Sequence, residues 1–145
     1  MLLDLVALLA VGLFAGAALY VTLVEHPARR QCGTALAIAE FGPSYRRGAV
    51  MQASLAAVGG LAGVVDWTRG HGALPLAAGL LMVGLIAFTL IVILPTNKRL
   101  LDPALDPGSA EATALLARWG RLHAVRSGLG TLALLLLGLH LVGVR

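Results

Sequence analysis

"ALPLAAGLLMVGLIAFTLIVIL", residues 73–94, contains no charged side chain from end to end. A helix crosses the ~30 Å hydrocarbon core of a bilayer in ~20 apolar residues, and this run has that length. A helix at the surface of a soluble protein would show a polar stripe on one side. None is present, so the run is read as lipid-facing.

Three further runs repeat the signal. Leu5–Val24 is uncharged, with Asp4 just outside it. Gly48–Val65 holds only Gln52 and Ser54 as clearly polar groups, and Ser127–Val144 includes His140. Charged residues make up 12% of the chain and mean hydropathy is +0.90, against ~25% charge in a soluble domain. The expected fold is all-α: a single integral-membrane four-helix bundle over residues 1–145, built as two hairpins. The spans fall at about 5–25, 47–66, 73–95 and 124–144, and an interfacial helix at about 109–123 runs into the fourth. The first run has no basic start and too long an apolar core for a signal peptide.

The net charge of +4 and pI near 10.2 have a topological reading. Arg29, Arg30, Arg46, Arg47, Lys98, Arg99, Arg118, Arg121 and Arg126 fall in the first and third connections. Only Arg69 and Arg145 fall on the other side. Cytoplasmic helix ends collect Lys and Arg, so both termini are expected on the non-cytoplasmic side of a multi-pass protein of the plasma or inner membrane. The expected partners are membrane lipids rather than nucleic acid. The single cysteine, Cys32, rules out an internal disulfide and a Cys-x-x-Cys redox pair.

That topology gathers the chemistry at one end. Glu25, His26, Tyr45, Gln52, Asn97, Trp119, His123 and Arg126 all lie near the same ends of the four helices. Each hairpin leaves through a polar segment with proline ("EHPARR", "LPTNKR") and returns through an aromatic and basic one ("SYRRGAVMQ", "RWGRLHAVR"), as a duplicated hairpin would. Gly12-x-x-x-Gly16 and Gly59-x-x-x-Gly63 permit close helix approach. They serve either packing within the chain or a homo-oligomer.

In "ALLARWGRLHAVRSG", residues 114–128, Leu115, Leu116, Trp119, Leu122, His123 and Arg126 share one helical face. Arg118 and Arg121 lie on the other. Ionisable groups on an inward face at membrane depth cost energy unless paired, and often carry function. Ser109 is placed as the N-cap of this helix, with Glu111 in its first turn. Pro95 stands where the third span should end, with Thr96 or Asn97 capping a short interfacial helix from Lys98; Asn97 also suits orienting a carbonyl or phenol oxygen. Ser44 is the expected cap after Pro43, with Tyr45, Arg46 and Arg47 at the interface and Gln52 one turn deep. Pro27 is expected to end or bend the first helix. Glu25, His26 and His123 are conceivable metal ligands, and the two histidines conceivable haem ligands. The sequence has no His-x-x-x-His, Glu-x-x-His or cysteine cluster to support either, so the cofactor stays open.

Together, "VEHPAR", "PSYRR…MQ", "PTN…LL" and "W…LHAVRS" resemble, in order and spacing, a family of small four-span membrane proteins that includes the anthrone oxygenases of polyketide pathways. The resemblance runs from about Gly12 to Gly138. It implies oxidation of a lipophilic aromatic compound, with or without a metal, at the cytoplasmic interface. In that reading His26, His123, Arg126 and Asn97 carry catalysis, while Glu25, Tyr45, Arg47, Gln52 and Trp119 bind the substrate. A histidine would remove a proton to leave an enolate that O₂ attacks, and Arg126 and Asn97 would hold the oxyanion. The alternative is a non-enzymatic membrane protein that binds a lipid, quinone or haem in the same pocket, or assists a partner.

Overall fold

The structure, a computed structural model, describes residues 2–143. Val144 and Arg145, the end of the expected fourth span and one of its flanking charges, lie outside the described residues. Four helices account for almost everything: α1 Leu2–Gln31, α2 Thr34–Thr68, α3 Ala73–Leu100 and α4 Ala110–Leu141, each long and apolar enough to cross a membrane. No strand occurs among the described residues. Each helix packs against its neighbours in chain order, and α4 closes the ring against α1. Large apolar side chains such as Leu9, Leu13, Leu61, Leu90, Ile91 and Leu135 face outwards, as a bilayer requires.

The helices are longer than the apolar runs, because the prolines do not end them. Pro27 lacks the N–H that would close a helical bond, and its ring crowds the carbonyl four residues back. The chain answers with one π turn, Val21–Glu25, in which the His26 N–H reaches Val21 O, five residues back. The wider turn absorbs the misfit and the helix carries on to Gln31. Pro95 is met in the same way: Thr89–Ile93 is a π turn, and the Leu94 N–H bonds Thr89 O. The two hairpins thus share a device: a π turn whose last residue stands two places before a proline.

The expected caps at Ser44 and at Thr96 or Asn97 are therefore not caps. Helix α2 begins after Gly33, whose φ of 97° suits glycine, and it passes through Pro43 with Ala37 and Phe41 buried ahead of it. Thr96 and Asn97 are helical and buried. The Ser109 cap does form: its hydroxyl accepts from the Ala112 N–H at 3.1 Å. In the 101–109 connection, the Ala104 N–H and the Arg99 guanidinium hold the Asp102 carboxyl below the usual carboxylate range. Arg99 also grips Glu111 at 2.7 Å, tying α3 to the start of α4.

Two apolar clusters fill the interior. One, towards the chain termini, contains Val11, Phe14, Met82, Leu85 and Leu137. The other, towards the long connection, contains Phe41, Ile93, Leu105, Leu116 and Trp119. Near the termini, α2 and α3 meet backbone to backbone: a Cβ on Gly63 would stand 2.6 Å from Pro75 O. The Gly59-x-x-x-Gly63 face is thus used within the chain, while Gly16 faces open space.

Candidate functional site

Between the two clusters lies a cavity of about 190 Å³. One water needs roughly 10–15 Å³ by this measure, so a small organic molecule fits. All four helices line it. Phe14, Phe41, Trp119 and Ile93 give it an apolar body, while Gln52, Asn97, His123 and Arg126 contribute polar groups. Leu90 also lines it and is itself more than half exposed on the outer side of α3.

The π turns and the continuous α4 decide who faces this space. On α4, Leu116, Trp119, His123 and Ser127 recur on one buried face, while Arg118 and Arg121 are exposed, as the helical spacing predicts. His123 is buried, and its Nδ1 lies 3.0 Å from the Thr22 hydroxyl in the π turn of α1. Its ring stacks on Trp119, centroids 4.7 Å apart. The Arg126 guanidinium lies over the Phe14 ring at 4.8 Å, and its Nε finds no hydrogen-bond partner. Gln52 Oε1 and Asn97 Oδ1 are likewise buried without a partner. Tyr45 lines the cavity with its ring stacked parallel on Phe41 at 5.7 Å.

Three of the expected residues sit elsewhere. Arg47 is exposed and does not line the cavity. Glu25 stays outside it and works on Arg29: it pairs with that guanidinium and accepts a 2.8 Å hydrogen bond from Ser44. His26 packs against Trp119 at 5.0 Å but opens into a separate hollow with Pro27, Thr34, Thr113 and Leu116. Its ring lies so close to Gly120 that a Cβ there would stand 2.6 Å from Nε2. The two histidines therefore face different spaces and do not present as axial ligands of one macrocycle. Nor do Glu25, His26 and His123 offer a common set of metal-ligand atoms. Among the described residues, Asp4, Asp66 and His71 bring theirs within 4.8 Å, at the opposite end of the bundle.

The structure adds residues that the sequence reading passed over. Arg29, taken with Arg30 as a topological anchor, is turned inwards and buried. It lines the cavity, sits 5.8 Å from the Trp119 ring and pairs with Glu40 at 3.0 Å as well as with Glu25. The i,i+4 spacing of Glu25 and Arg29 was a usable signal. Thr22 and Ser127 carried none, because a hydroxyl in a membrane helix usually bonds its own backbone.

The fold and site define a class: a small four-helix membrane protein with an apolar cavity lined by one imidazole, two guanidinium groups and two free amide oxygens. Within that class, the chain belongs to the anthrone oxygenase family, whose pattern it matches over residues 41–136. The anthrone oxygenase tpcL of Aspergillus fumigatus is 38% identical to it over 63 residues, covering 41% of this chain and 39% of that protein. No solved structure matches the chain. The family match includes Tyr45, Gln52, Asn97, Trp119, His123 and Arg126, and leaves Thr22, Glu25, His26 and Arg29 outside it.

Proposed function

We propose that this protein is a membrane oxygenase that oxidises a lipophilic, polyketide-type aromatic ketone at the cytoplasmic face of the plasma or inner membrane. The observation that carries this reading is the cavity lining: an apolar shell in which Gln52 Oε1, Asn97 Oδ1 and Arg126 Nε have no protein partner. Buried polar atoms left unpaired cost ~1–3 kcal/mol each, so the site suits a flat greasy molecule with a few oxygens at its edge. On this reading such a molecule enters from the bilayer past Leu90, on the outer side of α3.

Each side chain then has a task. His123 takes a proton from the ring CH₂ that a carbonyl across the ring acidifies. The electron pair moves into an enolate, and Arg126 donates to the developing oxyanion. The amide oxygens of Asn97 and Gln52 accept from ring hydroxyls, while Trp119 and the Tyr45–Phe41 stack flank the ring. The carbanion passes an electron to O₂, recombination forms the C–O bond, and the imidazolium returns its proton to the peroxide. Loss of water from the hydroperoxide leaves a second carbonyl. The balance is CH₂ and O₂ to C=O and H₂O, without an external reductant.

The test is O₂ uptake and quinone absorbance with purified protein in lipid nanodiscs and a dihydroxyanthrone. Turnover well above the protein-free rate supports the reading. A wild-type rate equal to the protein-free rate sinks it.

A further inference from the structure

Two hydroxyl groups from different helices meet behind His123. Thr22 Oγ1 lies 3.0 Å from His123 Nδ1 and 2.7 Å from Ser127 Oγ. Ser127 Oγ also lies 2.9 Å from Ala18 O and 3.1 Å from His123 O. Ser127 is fully buried, so water does not complete its bonding.

The hydrogens in this chain of contacts can be counted. A carbonyl oxygen only accepts. The Ser127 hydrogen therefore goes to the Ala18 and His123 carbonyls, which otherwise would face its lone pairs with nothing between. The 2.7 Å contact between the hydroxyls also needs a hydrogen, and Thr22 supplies it. Thr22 then has none left for His123, so the 3.0 Å contact must be filled by a hydrogen on Nδ1. The reverse order, Ser127 to Thr22 to Nδ1, leaves two buried oxygen–oxygen contacts with no hydrogen in either.

We infer that Thr22 and Ser127 are positioning residues that hold neutral His123 in the Nδ1–H tautomer, leaving its Nε2 lone pair as the base in the cavity. This rests on the oxygenase reading for its use, though not for its geometry. Free imidazole side chains favour the other tautomer, with the hydrogen on Nε2, and that form would point a donor at the substrate. The π turn takes part directly: Thr22 is its second residue, and Ala18, whose carbonyl anchors the chain of donors, lies one turn before it.

The assignment is tested on the full chain labelled with ¹⁵N-histidine in detergent micelles, where ring-nitrogen shifts report the tautomer without turnover. Wild-type His123 should read as Nδ1–H, identified by loss of its signals in His123→Gln. Thr22→Val removes the acceptor and should move His123 to the Nε2–H form. In the anthrone assay kcat should fall by about 10²-fold, as wrong-tautomer imidazoles lose orders of magnitude elsewhere, with KM within about twofold. Thr22→Ser keeps the hydroxyl and should restore both readouts; Ser127→Ala should shift the tautomer in part. An Nε2–H signal in wild type, or an unchanged tautomer in folded Thr22→Val, overturns the proposal. An Nδ1–H signal in a protein that oxidises no anthrone would defeat the oxygenase reading and leave the tautomer assignment standing.

Discussion

At the end of the bundle where α1 begins and α4 finishes, Asp66 is buried, yet its carboxylate meets His71 Nδ1 at 2.6 Å and His140 Nε2 at 3.5 Å. Asp4 lies 3.9 Å from the same His140 nitrogen. Two carboxylates and two imidazoles from three helices and a turn lie within ion-pair reach of one another, with a hydrogen bond from His71 to Asp66 Oδ1 among them; Asp66 Oδ2 faces His140 without one. Towards the other end, Arg126 Nε, Asn97 Oδ1 and Gln52 Oε1 are just as hidden and answer nothing in the chain. The backbone differs in the same sense. Near the termini α2 and α3 close until their glycines touch backbone; around the cavity α1 and α3 each open into a π turn. Buried polarity that is paired holds helices together. Buried polarity left unpaired around a cavity is a standing cost that a ligand relieves.

That contrast breaks if activity and stability fail to separate. The largest effect should come from His123→Ala, which removes the proposed base. Anthrone oxidation per folded molecule should drop about 10²–10⁴-fold, while the midpoint of thermal unfolding, followed by circular dichroism in the same nanodiscs, should fall only by what the lost Thr22 contact and Trp119 stacking are worth. A variant that kept its rate would leave the cavity without its chemistry.

Asp66→Ala should do the reverse. Breaking a buried carboxylate–histidine arrangement costs about 3 kcal/mol by analogy with buried ion pairs. The variant should unfold at clearly lower denaturant, yet the fraction that stays folded should turn over at the wild-type rate. A loss of rate per folded molecule would mean that the two ends are coupled.

Much of this arrangement was legible in the sequence. Four uncharged runs gave the helices, and the 114–128 segment put His123 and Arg126 on one face and Arg118 and Arg121 on the other. The prolines were read too locally. Pro27, Pro43 and Pro95 each argue for a helix end taken alone, but apolar residues such as Phe41 and Leu100 on their far sides are buried and carry the helices onwards. Reading helix ends there put Glu25, His26 and Asn97 at interfacial termini, whereas Asn97 sits inside a helix and lines the cavity. His26 missed the cavity for a geometric reason: Gly120, with no side chain, gives its ring a separate seat. Arginines were indistinguishable as anchors until their partners were known. Arg29 has Glu25 and Glu40; Arg30 is simply exposed.

Gly120→Ala probes that separate seat. A Cβ 2.6 Å from His26 Nε2 forces the ring or the helix to give, at a cost of about 1–3 kcal/mol. Stability should fall and turnover should change less, because His26 opens away from the cavity. A collapse in turnover at unchanged stability would bring His26 back into the reaction.

The smallest effect should come from Arg47→Ala. Arg47 belongs to the "SYRR" segment through which the chain resembles its family, and that resemblance gave it a place in substrate binding. Its side chain is exposed on α2, one residue before the cavity-lining Gly48 and five before Gln52. Surface substitutions away from buried pairs and caps usually stay within about 0.5 kcal/mol. Stability, KM and kcat should all remain within about twofold of wild type, whereas Arg29→Gln, which unpairs Glu25 and Glu40 beside Trp119, should lower both stability and turnover. Substitution at either arginine removes the same charge. If Arg47→Ala proved the more damaging, burial and pairing would be poor guides to function at this end of the bundle, and the contrast between its ends would lose its main support.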